Sequence, residues 1–587
     1  MKFLQRLILY SGLAFALGLI GQADEDSDEV LVRALKDEMQ RSLDELQIEN
    51  EPRPYFISYV VNDGSVSLVH SKLGATALAN QSASRNFGVS LRVGSRELDN
   101  TKYIGGPGSS SVAITFPLTD SYEELRRAIW MRTDAAYKQA ISSLSAKKTA
   151  IAQQPGLEEV NDFSEEEPFE YVSDNSVASV DIERLTAFAN EISAVMKGHP
   201  ELQETLTLVR YVTNTRTYID TDGNFNRLVS SFCALRSHAT AQAEDGAVVH
   251  DYVSIFASNC EEFYDNVAEI KQRHEELISS VLEFVTAEPI RAYIGPVLIS
   301  DEASATFFAQ VFGTRAGATP RPISEPGSST LFGRLRNPFM DKIDARVLPN
   351  FISVVNDPTE SDFDGQRLYG SYVVDNEGIP SRRTELVKDG RLQALLMTRN
   401  PTPDFDKSTG SNRAGAALPG NLFVSSSESM SEEELKQELL MWVEDSGNDF
   451  GIVVKRFHDL SSVFDSSSSE GVAALTAPML EGNIVMFPTL RAYKVNLDGS
   501  EVPVRTLSVS SFSDSQLRDI VAVSDTRQAY NISNMFTPTT FFSGWGLGLG
   551  TDFISVVSPS VLIEELEFQG SGPSHPSLPI VSHPASE

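Results

Sequence analysis

Cysteine is almost missing from this chain of 587 residues: there are two, Cys233 and Cys260, and none follows. Two thiols so far apart make no metal knuckle and rule out a disulfide-rich scaffold; a single disulfide and two buried free thiols both remain open. Basic residues are also scarce. Lys and Arg total 48 against 81 Asp and Glu, a formal charge of −33. A surface of that sign repels a polyanion, so no nucleic-acid partner is expected. The eight histidines (His70, His199, His238, His250, His274, His458, His575 and His583) are scattered without ligand spacing. No Gly-x-Ser-x-Gly nucleophile elbow and no Walker-type phosphate loop occurs. The runs Ser109–Ser111 and Ser466–Ser469 lack a nearby His/Asp signature and read as loops. Past the first twenty residues, no stretch is long and apolar enough to span a bilayer.

What is present is globular in character, with 41% hydrophobic and 22% charged residues. The length suits two to four domains. Lys2 and Arg6 precede an apolar run, Leu7 to Ile20, followed by Gly21-Gln22-Ala23 and the acidic Asp24-Glu25-Asp26. That order is a secretory signal peptide over 1–23, with an uncleaved anchor as the alternative. Export to a periplasmic or extracellular space is the expectation.

Apolar residues at helical spacing from Leu31 to Leu46, after Ser27 and Asp28, predict an amphipathic first helix. Strands Tyr55–Val61 and Ser65–His70 are expected to turn at Asp63-Gly64, and Val89–Val93 to continue the sheet. A helix over about Tyr122–Ile141 follows, with Asp120 and Glu123 at capping-box spacing. This makes 24–152 an N-terminal α+β domain. The Glu- and Pro-rich stretch Gln153 to Asp174 predicts a solvated acidic connector, 153–180. A central α+β domain, 181–288, reads as helix Ile182–Met196, a meander of Leu206–Asn214, Thr217–Asp220, Phe225–Arg236 and Val248–Phe256, and helix Phe263–Val285. The third domain, 289–569, opens with the buried strand Pro296–Ser300 and a helix Asp301–Phe312, in which Asp301 and Glu302 suit a helix N-terminus. Helix Glu432–Val443 is capped by Ser431, and strands follow at Gly451–Phe457, Ile484–Phe487, Leu490–Val495, Val502–Val509 and Val561–Phe568. Gly544 to Gly550 reads as a glycine-rich loop, and 570–587 has the composition of a disordered tail.

Gly365 to Arg399 carries the most distinctive wording. Strand Leu368–Val374, the turn Asp375-Asn376-Glu377-Gly378, strand Thr384–Lys388, the turn at Asp389-Gly390 and strand Leu392–Met397 predict successive hairpins, since glycine takes positive φ without penalty. Together with PYFISYVVND (Pro54 to Asp63), RVGSRELDNT (Arg92 to Thr101), YIDTDG (Tyr218 to Gly223), IGPVLISDEASATFFAQVFG (Ile294 to Gly313), RAYKVNLDGSEVPVR (Arg491 to Arg505) and VVSPSVLIEELEF (Val556 to Phe568), this block resembles the TldD/PmbA metallopeptidase family. The resemblance implies an α+β fold with two N-terminal α+β regions, a β-rich C-terminal domain of antiparallel hairpins, and an active-site helix after the GPVL-like strand.

In active members that helix bears H-E-x-x-x-H, two zinc-binding histidines around a glutamate base, and a late cysteine completes the ligand set. Here it reads FFAQVFGT, which places Ala309 and Thr314 at the histidines and Gln310 at the glutamate. Alanine has no donor atom, glutamine cannot accept a proton as a carboxylate does, and threonine is a poor zinc ligand. The resemblance therefore implies a degenerate member with no catalytic or metal residues and no expected cofactor, although the family uses zinc. Its expected role is a non-catalytic subunit or peptide-binding scaffold, a homodimer or a heterodimer with a zinc-bearing relative, able to hold unfolded peptide. An active hydrolase with a non-standard metal site and a structural envelope protein are the alternatives.

Overall fold

The computed structural model describes residues 29–104, 114–154, 160–320, 323–324, 337–458, 488–505, 507–509, 514–533 and 553–570. The signal segment, Ser27 and Asp28, Ser109–Ser111, Ser466–Ser469, the strand expected at Ile484–Phe487, Gly544 to Gly550, and the tail with His575 and His583 lie outside them.

Helix α1 (29–45) leads into strands β1 (Pro54–Lys72) and β2 (Ala75–Val93), then the short β3 (Tyr103–Ile104) and β4 (Ile114–Thr115), and helix α2 (Tyr122–Ala152). β5 (Glu170–Val172), α3 (Ile182–Ser193), β6 (Glu204–Asp220), β7 (Phe225–Gln242), β8 (Val248–Ala257), α4 (Glu261–Asp265) and α5 (Val267–Val285) follow. The strands form one sheet of order β4-β2-β1-β6-β7-β5, with β8 on β7. The strands before and after the acidic connector are thus hydrogen-bonded neighbours, β1 pairing with β2 on one side and β6 on the other. Leu31, Leu35 and Met39 of α1 and Leu125, Ile129 and Tyr137 of α2 bury against this sheet.

Three local expectations fail for identifiable reasons. Asp63-Gly64 does not turn; β1 runs through, because Asp63 pairs with Arg85 on one side and Thr215 on the other. Glycine is required there by proximity, since a Cβ would stand 2.9 Å from the Thr213 carbonyl oxygen. Asp120 does not cap α2; its carboxylate accepts from Arg85 at 2.7 Å, and Ser121 is the N-cap. The solvated connector fails only locally: Asp162, Phe163 and Ser164 are buried, with Asp162 paired to the buried Lys147, whereas Glu165, Glu167, Pro168 and residues 174–179 are exposed, and Glu170–Val172 pairs in parallel with β7.

Cys233 on β7 and Cys260 before α4 are joined in a disulfide. Both are buried in a cluster with Val69, Phe188, Leu235 and Phe263.

The C-terminal domain holds β9 (Glu288–Pro289), β10 (Ala292–Ile299), α6 (Asp301–Phe307), β11 (Ile323–Ser324), β12 (Ile352–Asn356), β13 (Asp362–Phe363), β14 (Gln366–Arg367), β15 (Thr384–Lys388), β16 (Arg391–Leu392), β17 (Asn412–Arg413) and β18 (Ala416–Ala417). It continues through β19 (Asn421–Ser426), α7 (Glu432–Ser446), β20 (Phe450–Phe457), β21 (Thr489–Asn496), β22 (Glu501–Arg505), β23 (Leu507–Val509), β24 (Ile520–Ser533) and β25 (Phe553–Gly570). The central strand is β25, longer than the sequence suggests, flanked by β10, β19 and the unanticipated β24. Ser431 and Glu434 form the expected capping box on α7. The fold is α+β, with a sheet-rich C-terminal region carrying antiparallel hairpins.

The stretch Leu368–Val374 is not a strand. Two of its amides go to side chains, Tyr369 N to Asn531 at 2.9 Å and Gly370 N to Ser555 Oγ at 2.8 Å, and others to loop carbonyls, Leu368 N to Ser361 at 2.9 Å and Tyr372 N to Pro358 at 3.0 Å. Of Leu392–Met397 only Leu392 lies in a ladder, opposite Val387, and Leu396 makes an isolated bridge to Gly317.

The disulfide closes a loop of sequence separation 27. Replacing both cysteines by serine should lower the unfolding free energy by about 2–4 kcal/mol, read from urea midpoints of oxidised wild type and variant. Equal midpoints would show that the bond contributes nothing.

Candidate functional site

Strand β10 delivers the chain directly into the helix where the sequence places the motif. α6 (Asp301–Phe307) passes into a π-helical turn, Phe308–Phe312, and a 3-10 turn, Gly313–Arg315. The π turn replaces the i to i−4 bonding pattern by i to i−5, the spacing that separates Ala309 from Thr314. Phe307, Phe308, Val311 and Phe312 are fully buried, with Phe312 edge-on to Phe339 at 5.8 Å. The unusual backbone is thus enclosed by aromatic packing.

The motif positions offer no ligand set. Ala309 is buried and has no donor. The Thr314 hydroxyl donates to the Gln310 carbonyl at 2.6 Å, a local bond that engages its proton. The Gln310 side-chain oxygen is buried with no hydrogen-bond partner among the described residues. Among those residues no three His, Cys, Asp or Glu side chains converge as a metal site. Zinc, which the family resemblance implies, does not fit the donors found at Ala309, Gln310 and Thr314.

The N-terminus of α6 is anchored across the domain boundary. Glu302 accepts from Arg456 Nη2 at 2.8 Å and from the Tyr252 hydroxyl at 3.1 Å. Arg456 also reaches Asp251 at 3.0 Å, and Arg491 Nε donates to the same carboxylate at 2.6 Å. Ser280 and the Tyr252 amide complete the shell of Asp251. The two guanidiniums and these donors outweigh the burial of Asp251 and hold its carboxyl below the usual range. Asp301 and Glu302 do stand in the first turn of α6, but the pull on Glu302 is the Arg456 ion pair rather than the helix dipole alone. Beside this cluster His250 and His458, distant in sequence, meet with ring nitrogens 3.1 Å apart. Sequence reasoning missed this cluster. Its one visible signal was a charged residue inside each of two apolar strands, Asp251 in β8 and Arg456 in β20.

The hairpin turn after Val374 supplies a second buried acid. Asp375 accepts the amides of Glu377 at 2.8 Å, Ile379 at 3.0 Å and Asn412 at 2.9 Å. Burial and the nearby Glu377 outweigh those donors and push its carboxyl up to about 7. Gly378 holds φ +80, and a Cβ there would sit 2.8 Å from the Tyr218 ring, so the turn packs directly on β6.

A strand feeding a deformed helix within a sheet-rich C-terminal domain defines the fold as α+β. Residues 293–466 match the family model of the PmbA/TldA metallopeptidase C-terminal domain. That stretch is therefore a C-terminal domain of the PmbA/TldA type. Solved structures agree on the fold. One, from Thermotoga maritima, is described as a candidate modulator of a DNA gyrase; it is 15% identical, with 87% of this chain and 96% of that one covered at a TM-score of 0.55. TldE from Thermococcus kodakarensis is 12% identical, covering 88% and 97% at 0.52. A second candidate modulator of DNA gyrase, from Bacteroides thetaiotaomicron, is 12% identical, covering 92% and 98% at 0.55. No curated protein matches the chain in sequence.

Asp251→Ala should cost about 3–5 kcal/mol in urea unfolding, because Arg456 and Arg491 lose their shared counter-charge; a cost under about 1 kcal/mol would contradict the cluster's anchoring role. The unfolded Asp375 carboxyl titrates near 4 and the folded one near 7. The folded state therefore holds the extra proton in that window, and this group's contribution to stability falls as pH rises from about 4 to about 7. Asp375→Asn should remove that slope, so the stability difference between wild type and variant should change across the window and level off above about pH 8. A pH-independent difference would refute the assignment.

Proposed function

We propose that this chain is an exported TldD/PmbA-family protein that keeps the scaffold of the metallopeptidase without zinc-dependent catalysis, and serves as a non-catalytic subunit or peptide-binding scaffold. One observation carries the reading. The motif helix retains its π-turn backbone while Ala309, Gln310 and Thr314 provide neither two metal ligands nor a carboxylate base. Aromatic side chains pack around the helix, which is consistent with a backbone supported by its own core.

Export is supported by the basic-apolar-small order of the first 23 residues and by the Cys233–Cys260 disulfide, since such bonds persist in oxidising compartments. The chain pairs with a second copy or with a zinc-bearing relative; only the latter would place this helix beside a competent one. An extended peptide held by main-chain hydrogen bonds needs no histidine, and the protein's sheet edges suit that mode.

Metal content and peptidase activity test the proposal together. Protein purified without added metal or chelator should carry less than roughly 0.1 zinc per chain and show no chelator-sensitive cleavage of unfolded casein. Stoichiometric zinc with cleavage abolished by chelator would overturn it and favour a hydrolase with a non-standard metal site.

A further inference from the structure

The acidic connector is held in a way that ordinary packing does not require. Residues 161–166 pass through a cleft between the N-terminal sheet and the C-terminal domain, bending at Asp162 and Phe163, and side-chain cations take up carbonyls along their main chain. Lys102 Nζ donates to the Asn161 carbonyl at 2.7 Å and Arg92 Nη1 to that of Asp162 at 3.4 Å. The Ser164 carbonyl receives Arg96 at 2.9 Å and Arg399 at 3.0 Å, and Lys407 reaches that of Glu165. The amides point the other way: Asp162 N and Phe163 N donate to the Arg96 carbonyl, and Ser164 N to the Arg399 carbonyl at 2.9 Å.

The side chains are read as well. Asp162 pairs with Lys147 and accepts the Asp99 amide at 2.8 Å. Glu166 accepts the Ser408 amide at 2.8 Å. Phe163 lies between two guanidiniums, Arg92 at 3.8 Å and Arg399 at 3.9 Å from its ring centre, with Phe56 edge-on at 4.7 Å. Six cations thus converge on six residues in a chain whose net charge is −33. The cleft also has donors to spare. Arg92 Nε, Arg399 Nε and Arg399 Nη1 are buried without a hydrogen-bond partner among the described residues. Arg399 is fully buried, so these donors face protein and not solvent. Asp99 and Asp222 fix the arginines in place from behind, at 2.7 Å from Arg92 and Arg96 respectively.

From this geometry we infer that the cleft is a recognition site for an acidic peptide with an aromatic anchor, Asp-Phe-Ser followed by acidic residues, and that residues 161–166 fill it in cis as a tethered ligand. Main-chain capture by side-chain cations, a Phe anchored between guanidinium planes and flanking carboxylates on cations are features of peptide recognition. The connector is linked to the rest of the chain, so it holds the site at a high effective concentration; a partner's segment gains entry when the connector leaves. The inference stands apart from the zinc question, because none of these residues belongs to the motif helix.

The test uses the full chain and a fluorescein-labelled peptide of sequence Asn-Asp-Phe-Ser-Glu-Glu. In a variant carrying Asp162→Ala and Phe163→Ala the cis ligand is weakened. Anisotropy should show binding to that variant at least about tenfold tighter than to wild type, and binding should vanish when Phe in the peptide is replaced by Ala. A cooperatively folded variant that binds no better than wild type overturns the proposal. Should the variant not fold, hydrogen exchange on wild type decides. The amides of Asp162, Phe163 and Ser164 must exchange by local opening, at least about tenfold faster than those of Phe56 to Tyr59 in β1, and faster still with millimolar unlabelled peptide. Exchange at the β1 rate, unmoved by peptide, means an integral part of the core and refutes a displaceable ligand.

Discussion

The buried carboxylate of Asp251 is the constraint on which the candidate site depends. Removed from water, it must find compensation inside the protein, and it finds it in Arg456 of β20 and Arg491 of β21. Arg456 is then placed to take Glu302, the second residue of α6. A single charge on the edge strand β8 therefore ties the C-terminal sheet, the start of the motif helix and, through Ser280, helix α5 together. Beyond that anchor the helix packs Phe307, Phe308 and Phe312 into the core around its π turn.

A similar economy runs through the other side of the cleft. Arg399 arrives from the loop after the hairpin block and meets Asp222 on the β6–β7 turn, Phe163 of the connector and the Ser164 carbonyl. The amide of Arg399 in turn is taken by Glu377, in the same turn as Asp375. The hairpin block that carries the family's most recognisable wording is thus one wall of the domain junction as well as a support of the C-terminal sheet. The solved relatives share that overall fold at 12–15% identity, so the agreement concerns architecture and not activity.

The helices and most strand cores were legible because their patterns are local. α1, α3 and α7 announce themselves by apolar spacing and caps, and the loss of zinc ligands is visible at Ala309, Gln310 and Thr314 without coordinates. Strand continuity was not legible. Asp63-Gly64 reads as a turn unless one knows that β1 is sandwiched between two neighbours, which is a long-range fact. The fate of Leu368–Val374 depended on side chains of Asn531 and Ser555, some 160 to 190 residues away. The connector misled for a related reason. A run of Glu and Asp is solvated by default, and only the distant arginines and lysines of β2, α2 and the hairpin block turn it into buried structure.

The central claim is that the motif helix keeps its geometry with no capacity to hold zinc, and anomalous X-ray scattering tests it most directly. Crystals grown with equimolar zinc and measured on both sides of the zinc edge should show no anomalous peak at residues 309–314. A peak within about 2.3 Å of any protein nitrogen, oxygen or sulfur at that helix would contradict the account.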